Sequence, residues 1–194
     1  MTMKQSPVLN ETQVKKLLNS TKMTRHSERN RLIVVLSYYV GLRSCEISSL
    51  TVGDVLDGDG NVKETVILKS HQTKGNKSNS IYLSDFVRNE ISKYFEKHSE
   101  LKKFRSFKLI RSQKGEGFSS MTIQHLFKNL YRSIGLYDCS SHSGRRTFIT
   151  TLSERGISVR VIQELARHRD LSTTQRYIDV SVDKLKNAVE TVRY

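Results

Sequence analysis

Apolar positions recur at three- and four-residue spacing through most of this chain, interrupted by one short region of alternation. Residues 10–20 read as an opening helix, with Asn10 as N-cap and Gln13 completing a capping box. Leu32, Ile33, Leu36, Tyr39 and Val40 mark a second helix that Gly41 closes. Arg43 follows on a turn or a short new helix through Ile47. Asp57-Gly58-Asp59-Gly60 is a turn signal, and residues 65–68 and 80–83 then read as two antiparallel strands. A polar loop, His71-Gln72-Thr73-Lys74-Gly75-Asn76-Lys77, joins them. Helical spacing resumes over 85–98, 120–135, 141–156, 158–167, 172–179 and 182–192. Ser172 and Gln175 form a capping box for the helix expected to carry Tyr177. Residues 97–108 form a basic connection without a dominant period.

This pattern predicts an α+β fold that is mainly helical, with a small antiparallel sheet at one edge. Its 194 residues suffice for a hydrophobic core without disulfide or metal staples. Neither an internal repeat nor a linker breaks the pattern. The expectation is one domain over 1–194, with a flexible start at 1–9 and a C-terminal helix or tail at 181–194. Val182, Leu185, Val189 and Val192 put an apolar stripe on that last helix, fitted to pack on its own domain or on a neighbour.

Charge narrows the partner. A net charge of +14 favours a polyanion, because summed charge attracts counter-charged ligands and speeds their association. Neither a lipidation signal nor a basic amphipathic anchor is present, so nucleic acid leads over membrane. Cys45 and Cys139 are isolated, which suggests reduced, buried thiols rather than a disulfide or zinc site. The start lacks the apolar core of a signal peptide, and the expected location is cytoplasmic.

Candidate chemistry gathers in three places. His142 and Arg145 lie three apart at the start of a helix, beside Arg146. Cations at a helix N-terminus oppose its dipole by about 0.3–1 kcal/mol each, so the arrangement suggests a missing anion such as phosphate. His168 ends a helix, and Tyr177 stands nine residues beyond it. Arg43 and Glu46 sit in Gly41-Leu42-Arg43-Ser44-Cys45-Glu46-Ile47. One phenol, two arginines and two histidines are the parts needed to attack a phosphodiester without a metal. A free tyrosine is ionised in roughly one molecule per thousand at neutral pH, so Tyr177 needs a proton acceptor or a strongly cationic site. Negative charge building on the non-bridging oxygens suits the bidentate forks of Arg43 and Arg145.

Taken together and in order, these motifs resemble the tyrosine recombinase (phage integrase) family, over roughly residues 10–192. Arg43 and Glu46 match its Gly-Leu-Arg-x-x-Glu box, with Leu50-Thr51 and Asp54 continuing it. Lys74 matches the lysine of its β-hairpin, although Lys69 and Lys77 flank the same loop. His142 and Arg145 match His-x-x-Arg, His168 the penultimate position, and Tyr177 the nucleophile. The resemblance implies a site-specific recombinase or integrase that cleaves and rejoins DNA through a 3′-phosphotyrosyl intermediate, without metal, ATP or other cofactor. It gives Lys74 the role of proton donor to the departing 5′ oxygen. His142 then pairs with Tyr177 as acid/base, His168 bonds the phosphate, and Glu46 orients an arginine. It also implies dimers or tetramers on DNA with the C-terminal helix exchanged between subunits, accessory DNA-bending proteins, and action at the nucleoid of a prokaryotic or phage-infected cell. The family's N-terminal core-binding domain is not found in this sequence. Three departures stand out: Arg167 replaces a glycine before the penultimate His, and Gly144 and Arg146 replace a leucine and a histidine around the second arginine. A left-handed backbone at Arg167 would cost about 1 kcal/mol or more. The alternative readings are a non-catalytic DNA-binding protein on the same fold and a type IB topoisomerase-like relaxing enzyme. A metal-dependent nuclease is disfavoured, since no compact acidic cluster occurs.

Overall fold

Asn10 opens the first helix as its sequence dictates. Its side chain accepts the Gln13 N–H at 2.9 Å, and the Gln13 carboxamide accepts the Asn10 N–H at 2.9 Å. That box starts α1 (Glu11–Ser20), which buries Val14, Leu17 and Leu18. The computed structural model describes residues 5–73, 77–113, 115, 117–178, 185, 186 and 189–192. In α2 (Ser27–Tyr39) every residue from Leu32 to Tyr38 is buried, so this helix is enclosed by the fold rather than laid on its surface. It packs on α5 (Asp85–Lys97) and α6 (Ser120–Ser133).

Two short helices, α3 (Ser44–Ser49) and α4 (Val52–Val55), follow α2. The basic stretch that showed no period folds into a 3-10 turn, Ser99–Lys103, and then runs back along them. Val52 and Gly53 donate to the Phe107 and Arg105 carbonyls at 2.9 and 2.8 Å, and Leu109 donates to the Leu50 carbonyl at 2.8 Å. These bonds hold α3 and α4 by their backbone.

Strands β1 (Thr65–Leu68) and β2 (Asn79–Tyr82) form one antiparallel ladder with Thr65 opposite Tyr82 and Leu68 opposite Asn79. Val66, Leu68 and Ile81 face inward, while Ile67 and Tyr82 are exposed. The second strand begins one residue earlier than its pattern suggested. Leu83 falls outside the ladder, although its N–H still bonds the Glu64 carbonyl at 2.8 Å.

Helices α7 (His142–Glu154), α8 (Val159–Ala166) and α9 (Leu171–Gln175) complete the described elements. The chain divides into two compact units, residues 1–148 and 149–194, and the boundary falls inside α7. The hydrophobic core extends in sequence from Leu9 to Tyr131, within the first unit. In the second unit Ile149, Ile162, Ala166 and Thr174 are buried. No helix among the described residues is long and apolar enough to cross a membrane.

Two expectations need correction here. The helix expected at 172–179 starts instead at Leu171, with Asp170 as N-cap and no side-chain cap bond. The Asp170 carbonyl already takes the Thr173 N–H at 3.1 Å, which winds the first turn one residue early and leaves Ser172 inside it. The helix ends at Gln175, so Tyr177 stands in the turn beyond it. Asp179 and Val182 lie outside the described residues. Cys45 and Cys139 are free thiols as expected, but half-buried rather than buried.

Gly144 has a packing reason. A Cβ there would lie 2.2 Å from Ser37 Oγ and 3.0 Å from the Tyr38 ring. Ser37 Oγ is itself buried without a hydrogen-bond partner among the described residues. Gly144→Ala should therefore destabilise by roughly 1–3 kcal/mol through overpacking, despite alanine's better helix propensity. Ser37→Ala should stabilise by about 1 kcal/mol, because an unsatisfied buried hydroxyl is removed. Urea denaturation of both variants and of the pair checks this; a stabilising Gly144→Ala contradicts it.

Candidate active site

In the first unit the candidate residues centre on a six-residue segment held from both ends. Gly41 turns the chain out of α2 at φ +67°, a left-handed conformation that favours glycine. A Cβ at Gly41 would also stand 2.5 Å from the Phe148 ring. Leu42 is fully buried and anchors the turn in the core. Arg43 is then the extended N-cap of α3, at φ −77° and ψ 156°.

Glu46, three residues on, is buried and does two jobs. Its Oε2 accepts the Arg43 backbone N–H at 2.8 Å, and its Oε1 accepts a guanidinium N–H of Arg43 at 2.8 Å. The carboxylate thus caps the helix and fixes the arginine's direction, leaving the Arg43 side chain 24% exposed. Arg145 reaches the same segment from α7 and donates to the Gly41 carbonyl at 2.7 Å, itself only 5% exposed. Arg43 and Arg145 are therefore tied to the same segment, Arg43 through the Glu46 carboxylate and Arg145 through the Gly41 carbonyl. His142 opens α7, its N–H bonded to Ser140 Oγ at 3.2 Å. Beside it, Arg146 donates to the Ser6 carbonyl at 2.8 Å, and Thr147 accepts the Leu9 N–H at 3.0 Å. The N-terminal segment and α7 thereby brace each other.

Lys74 lies outside the described residues, but the base of its hairpin loop is anchored. Residues Ser70–Gln72 form a 3-10 turn that buries the Gln72 side chain. Gln72 Nε2 donates to Asp54 Oδ2 at 2.7 Å and to the Ser49 carbonyl at 3.1 Å. Burial alone would raise the Asp54 carboxyl. The Gln72 amide, the Thr51 N–H and hydroxyl, and nearby Lys69 outweigh it and hold the group below its ordinary value. Lys69, one of the two flanking lysines, sits 3.6 Å from Asp54.

The second unit holds the remaining candidates, His168 and Tyr177. Arg167 adopts φ 54° and ψ 45°, the left-handed cap feared from its sequence, and its N–H bonds the Gln163 and Glu164 carbonyls. Buried Gln163 turns its amide to the carbonyls of His168 and Arg169 at 3.2 and 3.3 Å. His168 Nδ1 lies 3.0 Å from the hydroxyl of fully buried Thr174. The Tyr177 N–H bonds the Thr174 carbonyl at 3.0 Å, and the His168 and Tyr177 rings stack at 5.8 Å and 22°. Thr174 thus fixes the imidazole through its side chain and the tyrosine through its backbone. Gln72, Gln163 and Thr174 were not foreseen as site residues. Each is polar within a polar or capping stretch, and nothing in its spacing announces an inward turn.

Several other tyrosines are sealed in the fold. Tyr38 and Tyr131 share a buried 2.8 Å hydrogen bond, and burial pushes both phenols far up. Burial also pushes Tyr94 up to about 12. Tyr177 is half-buried. Among the described residues no three His, Cys, Asp or Glu side chains are grouped to hold a metal ion.

Comparison with known proteins gives the class to which this domain belongs. The sequence model of the phage integrase family matches residues 7–184, and the chain belongs to that family. It is 34% identical over 182 residues to "Tyrosine recombinase XerA" of Pyrococcus furiosus, covering 94% of this chain and 60% of the relative. The chain thus spans about three-fifths of the length of such curated relatives. Its fold is similar to the crystal structure of XerA recombinase, with a TM-score of 0.77 and 22% identity over 100% of this chain and 68% of the other. It is likewise similar to XerH site-specific recombinase bound to difH substrate, with a TM-score of 0.74 and 24% identity over 97% of this chain and 55% of the other.

Two outcomes follow from the geometry. Glu46→Ala leaves Arg43 without its partner and α3 without its cap, and should cost about 2–4 kcal/mol, discounted for Arg43's partial exposure. Arg167→Gly should stabilise by up to about 1 kcal/mol by relieving the left-handed strain. Thermal or urea unfolding measures both; an unchanged Glu46→Ala or a clearly destabilised Arg167→Gly would count against these assignments.

Proposed function

We propose that this chain is the catalytic domain of a site-specific DNA recombinase that cleaves one strand through a 3′-phosphotyrosyl bond and rejoins it to another. The observation that carries the proposal is the shared tether of Arg43 and Arg145 on residues 41–46, which suits two guanidinium forks converging on one phosphate. Tyr177 is the nucleophile: its phenolic oxygen attacks phosphorus, a 3′-phosphotyrosyl bond forms and the bond to the 5′ oxygen breaks. His142 exchanges the tyrosine's proton, and Lys74 supplies the proton that the 5′ oxygen takes. Arg43, Arg145 and His168 offset the charge on the non-bridging oxygens. Reversal by a 5′ hydroxyl restores a phosphodiester, so bond energy is kept without ATP.

Double-stranded DNA is the substrate in this reading, supported by the net charge of +14 and by the DNA-bound XerH relative in fold. Assembly into dimers or tetramers on DNA, with the C-terminal segment docked on a neighbouring subunit, fits the exposure of Leu185, Val189 and Val192. Action in the cytoplasm at the nucleoid, with DNA-bending partners where the site demands them, completes the proposal.

A nicked suicide duplex tests it. Wild-type protein should accumulate a covalent protein–DNA adduct, and Tyr177→Phe should form none while keeping its duplex affinity within about twofold. Equal adduct from both would overturn the assignment. Duplex affinity should also fall steeply with salt, with a log–log slope near −0.9 per phosphate neutralised. A flat salt response contradicts the argument from net charge.

A further inference from the structure

A second cationic site lies in the first unit, at the far end of α2 from Arg43. The eleven residues between Arg29 and Val40 rise on the order of 15 Å, so the two places are separate. Here a cavity of about 330 Å³ is lined by Arg25, Arg29 and Arg111 among others. None of these three guanidiniums has a carboxylate partner among the described residues.

Two of them are fixed in place. Arg29 lies 4.3 Å over the Phe118 ring, and it donates to the Arg111 carbonyl at 3.1 Å and to the Asn30 side chain at 3.3 Å. These bonds use three of its five N–H groups, leaving donors on both terminal nitrogens. Arg111 lies 4.0 Å over the Phe107 ring. One terminal nitrogen of Arg111 donates to the Gly115 carbonyl, and stacking on aromatic faces leaves the remaining edge donors of both forks to meet a planar or tetrahedral oxyanion.

Among the described residues the local balance is positive. Glu28 is the carboxylate lining the cavity, and a hydrogen bond from Lys97 holds it at about 2, so it is already matched. His26 and His98 also line the cavity, and burial with the neighbouring arginines pushes His26 below its ordinary value. Burial lowers Arg29 as well, as expected of a half-buried cation without a counter-ion. A bound anion would offset that desolvation, which no protein carboxylate among the described residues does.

We propose that this pocket binds a small phosphate oxyanion, as inorganic phosphate or the headgroup of a phosphomonoester, at a site distinct from the candidate active site. Its concave shape and pinned arginines suit a small ligand better than the broad backbone of a duplex. The pocket's contents would bear on the stability of the first unit, since a ligand that binds only the folded state raises its melting temperature.

Calorimetric titration with sodium phosphate, at ionic strength held constant with sodium chloride, tests the proposal on the whole chain. Adenosine 5′-monophosphate serves as the phosphomonoester in a parallel titration, and the tighter of the two identifies the source. Arg25→Gln and Arg111→Gln remove donors from the rim, and Arg29→Gln removes the inner fork. Each should weaken phosphate binding about tenfold, the effect of losing one charge-assisted hydrogen bond. Any phosphate held by Arg43 and Arg145 is common to all four proteins and drops out of the comparison. Duplex affinity and adduct formation should be unchanged in Arg25→Gln and Arg111→Gln, since neither residue belongs to the candidate active site. Phosphate binding equal in wild type and in all three variants would overturn the proposal. So would variants that keep phosphate affinity but lose duplex affinity, which would make the pocket a DNA contact.

Discussion

A buried carboxylate governs this structure's chemistry. Glu46 has no access to solvent, and a buried charge is tolerated only where it is paired and hydrogen-bonded. Its partners include the backbone N–H and the guanidinium of Arg43, so the bonds that satisfy Glu46 also aim Arg43. The same short segment receives Arg145 at the Gly41 carbonyl. Two cations that would repel each other are thereby held by separate acceptors, and the helix cap at α3 is inseparable from the site.

Around that segment the chain resolves its local conflicts by compensation. Gly41 must be glycine for conformational reasons and because Phe148 occupies the space where a side chain would start. Gly144 replaces a larger residue of the family pattern, and Ser37 with Tyr38 fills the volume it vacates. Arg167 departs in the opposite sense, since a side chain stands where glycine is easiest. The left-handed cap forms regardless, because Gln163 grips the following two carbonyls and the Arg167 N–H satisfies the end of α8. The strain at Arg167 is the local consequence of placing His168 against Thr174.

Much of this was legible in the residues. The capping box at Asn10, the glycine stop at Gly41 and the alternation in 65–68 are local signals with local causes, and the structure follows them. The Arg43–Glu46 pair was legible too, because three-residue spacing on a helix start leaves the carboxylate few other places to go. What could not be read depends on contacts distant in sequence. Residues 97–108 carry no period because their order comes from backbone bonds to α3 and α4, which impose no pattern on side chains. Gln72 looked like loop polarity until Asp54 and Ser49, both far upstream, gave its amide a buried partner. The helix near Tyr177 was set by the Asp170 carbonyl and by Thr174's inward hydroxyl rather than by the apparent capping box at Ser172.

The central claim is that Arg43 and Arg145 act on one phosphate as a unit. A double-mutant cycle with Arg43→Gln and Arg145→Gln, read as single-turnover cleavage of a suicide duplex by folded protein, tests it most directly. The account predicts strong non-additivity, the double variant being little slower than the worse single variant. Losses that multiply independently would contradict it and separate the two arginines into unrelated roles.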